Sequence, residues 1–264
     1  MAAGGAEGGF DPLHQFEVSP LIGQRDPCVG ADGAIIEGCS QALPFYSFTN
    51  SSLFMVVGLL LVVTILSFGL RRGAMVPGRW QSLAEVAYEF IANMIRDNVG
   101  SEGRKYFPFI FTLFMFVLAG NFIGMVPYTF TYTSHIVVTF MMAIFIFISV
   151  TAIGFAKHGL KFFSLFLPHG VPIAMAPLLI PIELLSYLTR PVSLALRLFA
   201  NMTAGHTMLK VFASFIPQLG IVGGIVPLAL VTGLTGLEFI IAFLQAYVFT
   251  ILSCVYLNDA LHLH

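Results

Sequence analysis

Charge is what this sequence has least of. Of its 264 residues only 9% are Asp, Glu, Lys or Arg, while 58% are hydrophobic. A soluble domain carries about 25% charged residues, so this chain has too little polar surface to face water. It is read as a multi-spanning membrane protein. The net charge of −1, with the few charges segregated along the chain, gives no basis for a nucleic-acid partner. Runs such as FPFIFTLFMFVLAG lack the polar–apolar alternation of an outer-membrane barrel strand, which leaves an all-α bundle. The opening MAAGGAEGGFDPLHQF has neither a basic n-region nor an apolar h-region, so no cleavable signal peptide is expected. There is no HExxH-type motif, and Cys28, Cys39 and Cys254 match no metal-site spacing. Neither a metal nor another cofactor is expected.

What is present is a series of long apolar runs. The first spans Leu53 to Leu70, the next about 107–126, and a third 136–156. After a Pro-rich passage come two longer ones, roughly 178–215 and 221–257. Each exceeds the ~20 residues of a perpendicular span, so this C-terminal hairpin must tilt, kink or lie partly across the membrane. Residues 1–50 hold six acids and one base, Arg25, whereas 71–105 hold six bases: Arg71, Arg72, Arg79, Arg96, Arg104 and Lys105. The positive-inside rule puts the N-terminus outside, the 71–105 segment in the cytoplasm and, counting onward, the C-terminus inside. Three regions follow: an external tail (1–50), three spans (51–161) and the long hairpin (162–264).

Between the first two spans, residues 80–99 are amphipathic. Leu83, Val86, Phe90, Met94 and Ile95 repeat at helical spacing, opposite Glu85, Glu89, Arg96 and Asp97. This is an interfacial helix, a partner-docking surface, or both. In the external tail, Cys28 and Cys39 pair or remain as two free thiols.

Charged side chains within spans cost about 2.5–3.5 kcal/mol each at mid-span and are functional by default. The first three spans have none. Glu183, Arg190, Arg197, Asn201, His206 and Lys210 fall on the fourth stretch, and Glu238 and Gln245 on the fifth. Glu183, Arg190 and Arg197 step by seven and Asn201 follows four later, which places all four in one stripe of a helix. His206 lies half a turn round from Arg197, on another face. Glu238 and Gln245 are also seven apart, with Thr235 three before Glu238. Two polar stripes on consecutive helices suggest a hydrated path or an ionisable partner. Plainer readings compete. Lys210 and Arg190 can anchor helix ends by snorkelling, although Pro191 beside Arg190 favours a kink. Arg197 can pair structurally with Glu183 or Glu238, and His206 can be a hydrogen-bonded core residue. The small residues Ser193, Ala195, Ala200, Ala204 and Gly205 permit close approach of a helix, within the bundle or from outside it.

The segments RPVSLALRLFANMTAGH and LEFIIAFLQAYVFTILSCVYLNDA, with DPLHQFEV and GNFIGMVPY nearer the N-terminus, resemble subunit a of the rotary ATP synthases. The resemblance covers nearly the whole chain. It implies a stator in the membrane sector, a non-catalytic proton-channel subunit. Its partners would be the c-ring of subunit c, the peripheral-stalk subunit b and other synthase subunits, in a bacterial inner membrane or alternatively a mitochondrial one. Protons would enter one half-channel, neutralise a c-ring carboxylate, travel with the ring and leave through the other half-channel. Arg197 matches the family's essential arginine, partner to the deprotonated carboxylate and barrier to leakage; a guanidinium keeps its proton where a buried ammonium can lose it. His206 and Glu238 match the polar pair of the outside half-channel, with acid and imidazole in the order of mitochondrial and some alphaproteobacterial members. Asn201 and Gln245 match polar residues beside the arginine, and Glu183 an acid of the inside half-channel. Arg190 and Thr235 are secondary candidates. The rival readings are a stand-alone channel or secondary transporter, for which no internal repeat is found, and an intramembrane metal enzyme using His206, Glu238 and His169.

Overall fold

The computed structural model of the chain describes residues 20–22, 48–70, 78–126, 129, 131–159, 162 and 175–262. Cys28, Cys39, Arg71, Arg72, Lys161 and His169 lie outside the described residues, and with them the cysteine pairing and part of the charge count behind the orientation.

A two-stranded antiparallel ribbon, β1 (Pro20–Ile22) with β2 (Phe48–Thr49), precedes the helices. These are α1 (Asn50–Leu70), α2 (Arg79–Asn98), α3 (Phe107–Gly124), α4 (Ile136–His158), α5 (Ala176–Gln218), the single turn α6 (Gly220–Gly223) and α7 (Ile225–Leu261). Two 3-10 turns, Ser101–Tyr106 and Tyr132–Ser134, lead into α3 and α4. Among the described residues five segments are long and apolar enough to cross a membrane: Asn50–Gly69, Ser101–Gly124, Ile136–His158, Pro177–Gln218 and Ile225–Leu261. The protein is a multi-spanning helical membrane protein, as its composition demands.

At 43 and 37 residues, α5 and α7 are about 65 and 55 Å long at 1.5 Å per residue. Neither can stand upright in about 30 Å of hydrocarbon. Pro181, Pro191 and Pro217 lie inside α5, each removing one backbone donor without ending the helix. The helix instead runs past the expected break at 215 to Gln218, and Gly220, with φ of 72°, turns the chain toward α7.

The core lies where α2, α3, α4, α5 and α7 meet. Ile91, Met94 and Ile95 of α2 join Phe114 and Val117 of α3, Ile146 and Val150 of α4, Leu198 and Met202 of α5, and Ala246, Phe249 and Leu257 of α7. The helix α1 packs mainly on α2 and α3 and presents an apolar outer face. Large apolar side chains elsewhere, Val137, Met141, Leu185 and Val226 among them, also point outward, as a lipid-facing surface requires.

The amphipathic helix forms where expected, and its apolar residues divide between two faces. Met94 and Ile95 are buried and Phe90 packs on Phe114, Phe243 and Tyr247. Leu83 and Val86 are not: they are 53% and 64% exposed, and Ala84 and Ile91 take the inner positions. The reason is the close approach of α1. A Cβ built on Gly69 would stand 2.9 Å from Cβ of Ala84, so the contact needs the smallest side chains. Leu83, Val86 and the exposed Trp80 then form a second apolar face, turned away from the core.

Candidate functional site

The helices α5 and α7 run antiparallel against each other, and their polar residues meet in register. Near one end, Arg190 Nη1 lies 2.7 Å from Asp259 Oδ2. In the middle, Asn201 Nδ2 donates to Gln245 Oε1 at 2.7 Å. Beyond that, His206 Nδ1 lies 2.8 Å from Glu238 Oε1. On α7, Gln245 follows Glu238 by seven residues and Asp259 follows Gln245 by fourteen, which keeps all three on one side of that helix. On α5 the contacts fall at Arg190, Asn201 and His206 and do not follow the expected stripe through Arg197.

His206 and Glu238 are both buried, and the imidazole is held on two sides. Its Nε2 is 3.1 Å from the hydroxyl of Thr131, in the turn before α4, and its Nδ1 faces Glu238. The Nδ1–Oε1 contact is short but out of line for a hydrogen bond, so Oε1 remains a buried oxygen without an aligned donor. Glu238 occupies the space that a side chain at 205 would need: a Cβ on Gly205 would lie 2.6 Å from Oε1. Gly205 is therefore a seat for the carboxylate as well as a small packing residue.

The Thr131 turn is itself socketed by glycines of α3. Cβ atoms at Gly120 and Gly124 would collide with Tyr132 and Thr131 respectively. Tyr132 donates to Phe116 O at 3.0 Å, and burial pushes its phenol well above the usual value, which keeps it a donor. Desolvation holds His135, at the end of this turn, below the usual imidazole range. Thr203 of α5 donates to Ser134 O at 3.2 Å, tying turn and helix together.

One further residue joins the seam. Asn121 of α3, fully buried, donates through Nδ2 to Ala242 O at 3.1 Å, midway between Glu238 and Gln245 on α7. Asn121 Oδ1 and Gln245 Nε2 are buried without a hydrogen-bond partner among the described residues, as is Glu238 Oε1. Uncompensated polar atoms are costly in an apolar interior, yet three occur along this one seam.

Arg197 is elsewhere. It is exposed on the outer face of α5, with no hydrogen bond or ion pair to another described residue. The structural pairing with Glu183 or Glu238 is thus not made. Glu238 faces His206 instead, and Glu183, fourteen residues before Arg197, is about 21 Å away along the helix. Ser193, Ala200 and Ala204, at helical spacing around Arg197, are exposed too. Arg197 stands in a strip of small residues that face outward.

The remaining candidates separate. Glu183 is half-buried near the start of α5 and makes no ion pair with another described residue. Thr235 donates to Val231 O at 2.8 Å within its own helix. Arg190, whose role the sequence leaves open, is clamped: Asp259 pairs with it, and the rings of Tyr187 and Tyr256 flank the guanidinium at 5.6 and 5.2 Å. The Tyr187 hydroxyl lies 2.7 Å from that of Thr151 on α4. Close by in the fold, Lys157 pairs with Glu102 and reaches Leu261 O at 3.3 Å. Sequence reasoning missed Asp259, Thr131 and Asn121. Asp259 carried a signal as the one Asp, Glu, Lys or Arg that follows Glu238 in the sequence, just past the last apolar run, whereas Thr131 and Asn121 are neutral residues with no distinguishing spacing.

A helical membrane protein with a buried acid–imidazole pair, a polar seam and an outward-facing arginine on paired long helices belongs to the class that moves ions across membranes. Comparison with known proteins narrows the class. Residues 52–258 match the family model described as ATP synthase A chain. Over 253 residues the chain is 56% identical to ATP synthase subunit a of Rhodospirillum rubrum, covering 96% of this chain and 99% of that one. It is 55% identical over 260 residues to the Paramagnetospirillum magneticum subunit, covering 96% and 99% of the two chains. It is also 57% identical over 218 residues to the Pelagibacter ubique subunit, covering 83% and 89%. The chain belongs to the ATP synthase subunit a family.

Proposed function

We propose that this protein is the stator of the membrane sector of a bacterial ATP synthase, a multi-pass subunit of the inner membrane. In this reading the N-terminus is outside, and two half-channels load and unload protons on carboxylates of the c-ring. The subunit performs no bond chemistry of its own. It couples a proton's fall through the membrane potential, about 2.3 kcal/mol per charge per 100 mV, to rotation of the ring, held static by the peripheral-stalk subunit b.

The observation that carries this reading is the exposure of Arg197 among small side chains. A permanent cation facing hydrocarbon is expensive, so the strip calls for a partner that supplies a carboxylate and approaches closely. Ser193, Ala200 and Ala204 leave room for a helix, and a rotating ring of carboxylate-bearing helices fits both requirements. Arg197 attracts each deprotonated carboxylate and, unable to lose its own proton, blocks direct passage between the half-channels.

The opposite side of α5 gives the outside half-channel. His206 and Glu238 exchange a proton across 2.8 Å, and the unmet polar atoms of Asn121 and Gln245 suit a water-lined continuation toward Asn201 and Arg197. Glu183 serves the inside half-channel. The test is Arg197→Gln in the assembled complex. ATP-driven proton pumping in inverted vesicles should be lost while c-ring and stalk subunits still co-purify. Retained coupled pumping would overturn the assignment.

A further inference from the structure

The contact between Thr131 and His206 fixes more than position. Gly124 lies in the last turn of α3, and its carbonyl, left over at the helix end, accepts from the Thr131 hydroxyl at 3.1 Å. No other described donor reaches that carbonyl. A threonine hydroxyl has one hydrogen, so Thr131 Oγ1, having given it to Gly124, meets His206 Nε2 only as an acceptor, at 3.1 Å. The imidazole must then carry its hydrogen on Nε2, and the neutral ring leaves Nδ1 bare, 2.8 Å from Glu238 Oε1.

We infer that Thr131 is a positioning residue that locks His206 in the Nε2–H tautomer, so that Nδ1 alone exchanges protons with Glu238. The inference rests on the proton-path reading. In the exchange the Oε1–H bond of the protonated acid breaks and an Nδ1–H bond forms, converting acid and neutral imidazole into carboxylate and imidazolium; the reverse step restores both. The Nε2 hydrogen never leaves. In the opposite tautomer Nδ1 would already hold a hydrogen and could not accept one from Glu238. The glycines at 120 and 124 belong to the same device, since they seat the turn that brings Thr131 to the ring.

The tautomer can be read directly. In the assembled complex labelled with 15N-histidine, the His206 resonances are isolated by subtracting the spectrum of a His206→Gln complex. At a pH where the ring is neutral, Nε2 should give a protonated signal and Nδ1 a bare one. A protonated Nδ1 in the wild type would overturn the inference without any variant at position 131. Thr131→Val keeps the shape and removes the acceptor, so the two tautomers should mix and ATP-driven pumping should fall about fivefold, the scale of one hydrogen bond. Thr131→Ser should restore both the spectrum and the flux to within about twofold. A valine complex with the wild-type tautomer would overturn the inference. Full coupled flux in His206→Gln would overturn the proton-path reading instead.

Discussion

The two ends of the α5–α7 pair use similar residue types to opposite ends. At one, Arg190 and Asp259 form a half-exposed ion pair whose guanidinium is flanked by Tyr187 and Tyr256. At the other, His206 and Glu238 are buried, close, imperfectly aligned, and left with a carboxylate oxygen that lacks an aligned donor. The first arrangement fixes a guanidinium, which keeps its proton, against a carboxylate. The second brings an imidazole and a carboxyl, two groups that can each bind and release a proton, within 2.8 Å of each other, as the proposed relay requires. What distinguishes a fastener from a relay here is the bonding capacity left unmet.

Substitutions sharpen this contrast. The largest effect belongs to Glu238→Gln, which keeps the shape and removes the exchangeable proton. Coupled pumping by the reconstituted complex should fall by about 100-fold or more, the scale of a lost acid–base group, with assembly unchanged. Gly205→Ala should come next. Its methyl must push Glu238 Oε1 from a distance of 2.6 Å, and overpacking of about 1–3 kcal/mol corresponds to roughly a tenfold loss of flux. If alanine there is silent, Glu238 is not seated as described. Asp259→Asn should do least. It breaks the pair with Arg190 but leaves a hydrogen-bonding amide, and a partly exposed ion pair is worth about 1 kcal/mol at most. Thermal unfolding of the subunit should shift slightly and pumping should change less than about fivefold. A loss as large as that of Glu238→Gln would erase the distinction between the two ends.

Much of this was legible in the sequence. The apolar runs gave all five spans to within a few residues, because a bilayer imposes length directly. Steps of seven, with four more to Asn201, put Arg190, Arg197 and Asn201 in one stripe and His206 on another face, but the structure divides that stripe: Arg190 and Asn201 contact α7, as His206 does, while Arg197 points outward. Asn201 bonding Gln245 and His206 meeting Glu238 follow from the antiparallel pairing of α5 with α7. The missed features depend on tertiary partners. The apolar positions of α2 do not say which of them meet protein, and it is the close fit of Gly69 on Ala84 that puts Ala84 inside while Leu83 and Val86 stay exposed. Thr131 and Asn121 are ordinary neutral residues until a turn and a helix bring them to His206 and Ala242. Asp259 sits near a helix end, where a charge needs no explanation until Arg190 is found beside it.

The central claim is that the Arg197 strip of α5 faces the ring of c subunits, and the most direct measurement is a cross-link. Ala200 is exposed next to Arg197, and Val63 is equally open to the surroundings on α1. A cysteine at each position in turn would be oxidised in native membranes against a cysteine placed one helical turn from the c-subunit carboxylate. The account predicts a disulfide-linked product with subunit c from Ala200→Cys and none from Val63→Cys. Cross-linking from Val63→Cys with none from Ala200→Cys would put the ring against another face and contradict it.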